Sequence, residues 1–154
     1  MEKLTREQAL QLLIRQPVAH LGIAIDGEPY VTPMSFVVDD DRILFRTMAG
    51  RKLDGIRSNP KVCIEVSSYD EETGDWESVI VRGTASFVDD PSTRQQTIAQ
   101  LFSKYEKVMG SPLSAGGGLM PLGGHPFVVE VSMDEVSGMS SDGGFRVRTK
   151  PGRL

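Results

Sequence analysis

Apolar and polar residues alternate along most of this chain, and three stretches switch to helical spacing. In the first, residues 5–16, Leu10, Leu13 and Ile14 recur on one helical face. Thr5-Arg6-Glu7-Gln8 reads as a capping box ahead of them, and Pro17 as the stop behind them. Residues 18–25 read as a strand, Asp26-Gly27 as a tight hairpin turn, and residues 29–38 as the returning strand. Asp39-Asp40-Asp41 makes the next turn and residues 42–47 pair back. A short helix with Leu53 and Ile56 on one face follows and has to stop before Pro60, because the residue before a proline is pushed out of helical geometry. Residues 61–68 alternate again, with Val62, Ile64 and Val66 apolar. After an acidic turn over residues 69–75, residues 76–88 form a long strand interrupted at Arg82-Gly83-Thr84. A glycine inside a strand marks a bulge or a close backbone approach.

Asp90-Pro91 opens the third helical stretch, with Asp90 as cap and Pro91 in the first helical position. Ile98, Leu101, Phe102, Tyr105 and Met109 form its core-facing stripe. Residues 110–126 hold glycine at 110, 116, 117, 118, 123 and 124, which suits either a lid over a site or a plain connector. Residues 127–132 read as a last core strand and residues 136–139 as a short addition. Five to seven strands that return mostly as hairpins, with three helices between them, predict a small antiparallel barrel with helices outside it. Residues 1–142 read as a single domain and residues 143–154 as a basic tail carrying Arg146, Arg148, Lys150 and Arg153.

Composition narrows the function classes. A net charge of -4 argues against non-specific nucleic-acid binding, which needs a basic footprint. An oligonucleotide-binding barrel also needs interleaved aromatics, and only 6% of residues are aromatic. No signal peptide and no apolar run near 18 residues are visible, so no membrane contact is expected and a cytoplasmic location is the default. The one cysteine, Cys63, stands in an apolar run and is expected to be a buried, inert thiol.

Candidate chemistry is sparse. The aspartate run 39–41 lacks the alternating ligand spacing of a calcium loop, and no cysteine or histidine cluster has metal spacing. His20 alternates within a strand and reads as a satisfied core or surface group; His125 sits in the glycine-rich stretch. No serine stands in a nucleophile elbow. The informative feature is Gly50-Arg51-Lys52, which puts two cations in the first turn of a helix. A helix N-terminus carries about half a positive charge and favours anions. The pair is either solvated at a surface turn or faces an anion, for which phosphate is the natural candidate. A protein without an evident nucleophile, metal or acid–base pair either binds something or borrows its chemistry from a cofactor.

Several segments in order resemble the flavin-binding split-barrel superfamily that includes pyridoxamine 5'-phosphate oxidase, in particular its small oxidase-like and nitroimidazole-reductase-like branch. They are Asp26-Gly27-Glu28-Pro29-Tyr30-Val31-Thr32-Pro33-Met34, Ile43-Leu44-Phe45-Arg46-Thr47 with Gly50-Arg51-Lys52, Asn59-Pro60-Lys61-Val62-Cys63, and Ser78-Val79-Ile80-Val81-Arg82-Gly83-Thr84-Ala85. The resemblance implies a mainly β fold with accessory helices, a six- to seven-stranded antiparallel split β-barrel of the FMN-binding type. It implies a homodimer with FMN at the subunit interface. Arg51 and Lys52 match the basic pair that holds the flavin phosphate, and Arg46 and Thr47 match the strand end beside it. Thr32, Pro33, Met34 and Ser35 match the strand along the isoalloxazine ring. Ser78 falls where the family places a polar side chain near the ring, often a glutamine.

The implied activity is a flavin-dependent oxidoreductase acting on a small organic substrate. Residues 136–139 show neither the tryptophan nor the arginine pair of the pyridoxamine phosphate oxidases, which speaks against vitamin B6 oxidation. A haem-degrading relative would need an iron ligand from His20 or His125. The basic turn also fits the phosphate of a deazaflavin. The alternative reading is a non-catalytic flavin- or deazaflavin-binding dimeric barrel.

Overall fold

The computed structural model describes residues 1–109 and 126–141. The glycine-rich stretch from 110 to 125, with His125, and the basic tail 143–154 lie outside the described residues. In chain order the elements are β1 (Glu2–Lys3), α1 (Arg6–Arg15), β2 (Ala19–Ile25), β3 (Glu28–Met34), β4 (Val37–Asp39), β5 (Arg42–Thr47), α2 (Arg51–Ser58), β6 (Lys61–Tyr69), β7 (Trp76–Phe87), α3 (Pro91–Met109), β8 (Phe127–Ser132) and β9 (Glu135–Ser140). The capping box forms as expected: Gln8 N–H donates to Thr5 Oγ1 and Thr5 N–H donates to Gln8 Oε1. Asp26 and Gly27 both take positive φ, at 52° and 80°, as a two-residue hairpin turn requires.

All pairings are antiparallel, and the strands run in the order β3-β2-β6-β7-β8-β5-β4, with β9 on β7 and β1 on β9. The sheet is open. Its two edge strands, β3 and β4, are nevertheless consecutive in the chain and joined only through Ser35 and Phe36. A sheet whose far edges are two residues apart has to roll up. The result is a barrel split between β3 and β4. Inside it, Leu21, Phe36, Ile43, Phe45, Ile64 and Val81 are fully buried in one cluster. Leu12 and Leu13 of α1 and Ile56 of α2 enter the same cluster. A second cluster, with Val37, Leu44, Leu101, Tyr105 and Val128, seats α3 on β4, β5 and β8. Among the described residues no helix is long and apolar enough to cross a membrane.

Nine strands are present among the described residues, against six to seven expected. Two account for the difference. β1 is a two-residue strand whose residues Glu2 and Lys3 pair with Ser140 and Met139. The run 29–38 is cut in two at Ser35 and Phe36. The cut has a physical cause: the Phe36 N–H does not join a ladder but donates to Tyr105 Oη at 3.2 Å, and Tyr105 Oη in turn donates to the Pro17 carbonyl. One phenol thus ties the break to the end of α1. Tyr105→Phe keeps the ring and leaves a buried N–H without a partner. The expected loss is about 1–3 kcal/mol, read as a lower denaturant midpoint with unchanged slope.

Cys63 corrects an expectation: it is exposed, not buried. Val62, Ile64 and Val66 point into the barrel, so strand alternation turns Cys63 outward.

Candidate functional site

Two places bear on function, the junction of β5 with α2 and the outer face of the sheet. At the junction, Thr47 closes β5 and is buried, while Met48, Ala49 and Gly50 are exposed. α2 begins at Arg51, and its N-cap, Gly50, supplies no side-chain hydrogen bond. A Cβ placed on Gly50 would meet nothing within 4 Å, so the approach to this helix end is open. Lys52 is half-buried. Burial pushes its pKa below the ordinary lysine value of 10.5, and no carboxylate pairs with it among the described residues. Burial also lowers the pKa of Arg46. Asp54 supplies one negative charge in the first turn. Arg51 is exposed, and its guanidinium lies 5.1 Å from the centroid of the Tyr30 ring. α2 therefore reaches over β3, which fits the packing of Gly55 against Ile23 and Ile25 of β2.

The sequence-predicted residues fall mainly on two stretches, the end of β3 and the β5–α2 junction, with the short strand β4 between them in the chain. In β4–β5, Val37 pairs with Leu44. Thr32, Pro33 and Met34 close β3 and Ser35 stands in the break before β4, while Arg46 and Thr47 close β5 ahead of α2; Met34 is buried and Pro33 exposed. The structure does not bring Ser78 beside them. It lies on β7, and β2 and β6 stand between it and β3. Three strand spacings amount to roughly 14 Å.

Ser78 has other company. Its Oγ donates to Glu65 Oε1 at 3.2 Å, and Glu65 Oε2 is 3.1 Å from His20 Nδ1. His20 pairs with both Pro33 and Glu65, and Glu65 pairs with Ile80, so one row crosses four strands of the outer face. The next row is Val31, Gly22, Cys63, Arg82 and Glu135. A Cβ on Gly22 would stand 2.7 Å from Cys63 Sγ, so the thiol lies over that glycine. A shallow groove of about 560 Å³ follows this second row, with Pro29, Tyr30 and Val31 on its β3 side. Thr32–Ser35 do not line it. Tyr30 links the two places, since it borders the groove and carries Arg51 on its ring. Val31 and Ile80 leave 65% and 41% of their surface exposed on this face among the described residues. Tyr30 and Glu65 are absent from the sequence-predicted site. Glu65 was discoverable from the alternation that places it outward on β6; the Arg51 stack depends on how α2 packs.

A family model described as pyridoxamine 5'-phosphate oxidase matches residues 5–139, which contain the junction, the split and the outer face. The chain belongs to this family. Solved structures similar to this pyridoxamine 5'-phosphate oxidase family member include an FAD-binding protein from Mesorhizobium loti. That protein is 24% identical with a TM-score of 0.72, over 91% of this chain and 97% of that one. An FAD-binding protein from Mycobacterium smegmatis is 25% identical with a TM-score of 0.65, over 91% and 98%. An uncharacterized protein of Rhizobium meliloti is 30% identical over 80 residues. That match covers 52% of each chain, so this chain spans about half the length of the curated relative it matches. The split-barrel architecture is the family's own and agrees with the open, rolled sheet described above.

Proposed function

We propose that this member of the pyridoxamine 5'-phosphate oxidase family is a flavin-dependent oxidoreductase that holds FMN by its phosphate at the β5–α2 junction and acts on a small organic substrate. The observation that carries the reading is Lys52, a half-buried ammonium with no carboxylate partner among the described residues, beside a helix N-terminus without a side-chain cap. Each feature alone is unfavourable in the folded chain, and a phosphate relieves both. Arg51 extends the positive field toward Tyr30, and the buried Thr47 hydroxyl lies at the end of the neighbouring strand. The similarity to the Mycobacterium smegmatis FAD-binding protein supports a flavin as the phosphate's owner.

When bound, flavin supplies hydride and electron transfer; the chain supplies position and electrostatics. In this reading the backbone near Met34 and Ser35, where the β3 ladder stops, would present N–H groups to the ring, and fixed N–H dipoles stabilise developing negative charge. A homodimer is part of the proposal. It is supported by the outer face, where Val31, Pro33 and Ile80 are exposed among the described residues, and by the distance of Ser78 from the rest of the site, which a second copy would make up.

The test is an absorption spectrum of the purified protein after addition of FMN and removal of unbound ligand, followed by assay of reduced-nicotinamide oxidation. Retained flavin with turnover is the expected result. Retained flavin without turnover for any small acceptor would reduce the proposal to a flavin-binding barrel. A colourless protein that instead retains a deazaflavin would overturn FMN.

A further inference from the structure

Next to the β3–β4 break, α1, β4 and α3 enclose a second concavity, of about 340 Å³. That is the small end of the range of ligand pockets, which run from about 300 to 1,000 Å³. One wall is apolar, made by Ile14 of α1 and by Val37 and Val38 of β4. The other is a polar stripe on α3. Gln100, Ser103, Lys104 and Lys107 are spaced so that they share one helix face.

Three details mark this place. Lys104 is half-buried, with its ammonium 3.6 Å from the Phe36 ring centroid and 3.4 Å from the Leu13 carbonyl, and no carboxylate pairs with it among the described residues. Burial lowers its pKa to about 8. Gln100 Oε1 is buried and has no hydrogen-bond partner among the described residues. Ile14 leaves 52% of its surface exposed beside these groups. The Phe36 ring and the Leu13 carbonyl offset only part of the desolvation of Lys104, which has no counter-charge among the described residues, and the buried Gln100 oxygen has no donor among them; both are unfavourable. A single ligand with an acidic head, a donor group and an apolar body would relieve all three.

We propose that this concavity binds a small organic monoanion. Its carboxylate-like head pairs with Lys104 and Lys107, its hydroxyl or N–H donates to Gln100 Oε1, and its apolar body lies against Ile14, Val37 and Val38. The site is separate from the β5–α2 junction and does not depend on the flavin reading.

The test uses the full chain without added flavin and salicylate as the probe, which combines an anionic head, a hydroxyl and a flat apolar body. Titration calorimetry is paired with nuclear magnetic resonance of carbon-13-labelled lysines. The expected result is saturable binding, with the Lys104 signal moving and its titration midpoint rising toward that of an ordinary lysine. Lys104→Met is expected to weaken binding about tenfold or more, the loss of one charge-assisted contact. Gln100→Leu is expected to weaken salicylate more than benzoate, which lacks the hydroxyl. No saturable binding at millimolar salicylate, or a Lys104 signal unmoved at saturation, overturns the proposal. The wild-type lysine signal decides the matter even where a variant folds poorly.

Discussion

Gly83→Ala is expected to prevent this chain from reaching its native fold. β7 changes partners along its length: Arg82 still pairs with Glu135 of β9, while Ala85 already pairs with Val131 of β8. The chain between those partners, Ser132 to Asp134, has to cross β7 at Gly83 and Thr84. It is held there by the Thr84 N–H donating to Ser132 Oγ at 3.0 Å and the Asp134 N–H donating to the Arg82 carbonyl at 3.1 Å. A Cβ on Gly83 would stand 1.7 Å from the Ser132 carbonyl oxygen and 2.8 Å from its carbon. Both are backbone atoms, so no rotamer change relieves the overlap. Overpacking a relaxable core costs about 1–3 kcal/mol. Here the crossing itself has to move, and the expected loss is on the order of 4 kcal/mol or more, a large share of a domain's stability. Gly22→Ala is the control. Its Cβ would stand 2.7 Å from Cys63 Sγ, the exposed end of a side chain that can turn away, and 3.6 Å from the Cys63 carbonyl oxygen, an ordinary contact. The measurement is the thermal and urea midpoint of each variant. A Gly83→Ala protein that melts within a few degrees of wild type would show that the two strands do not cross this closely.

That crossing is partly legible in the sequence, because the interruption Arg82-Gly83-Thr84 in a long strand marks either a bulge or a close backbone approach, and the contact with Ser132 is the second. Other features are legible in kind and not in detail. The alternation of Val62, Ile64 and Val66 identifies β6, and the same period places Cys63 and Glu65 on the opposite face. Weighting the apolar run over its period gives the wrong answer for Cys63. The break at Ser35 and Phe36 has no local sign, since neither residue interrupts a strand; its cause is a phenol 69 residues away. Arg51 and Lys52 are readable as misplaced cations from position alone. That they divide, one stacked on Tyr30 and one half-buried, depends on the packing of α2 over β2 and β3. Resemblance places Ser78 in the right strand type, but strand order decides its distance from the split, and strand order is a property of the whole sheet.

Lys52→Ala is expected to lose flavin without losing fold. In the free protein the Lys52 ammonium has no carboxylate partner among the described residues and is disfavoured by burial. Removing it therefore leaves the melting temperature of the flavin-free chain equal to or above that of wild type. In the proposed site the ammonium gains the FMN phosphate, and hydrogen bonds to charged groups are worth about 1.5–3 kcal/mol. The expected weakening is about 10- to 150-fold in Kd. Arg51→Ala alone has the smaller effect, because Arg51 is exposed and partly engaged with Tyr30, and the double variant is expected to retain no flavin through gel filtration.

The pH dependence supplies an independent sign. A lysine lowered in the folded chain is charged less readily there than in the unfolded chain. The unfolded chain then binds more protons above the folded pKa, so flavin-free stability rises with pH up to about 10.5, the unfolded value. Phosphate binding favours the charged form and raises the pKa again. FMN affinity therefore falls as pH climbs through a range beginning below 10.5, and this alkaline limb is absent in Lys52→Ala. Equilibrium dialysis across that range, with wild type and variant side by side, reads both the loss and the limb. Equal affinity of the two proteins at every pH would move the phosphate away from the β5–α2 junction. It would also leave the buried charge of Lys52 without a counterpart.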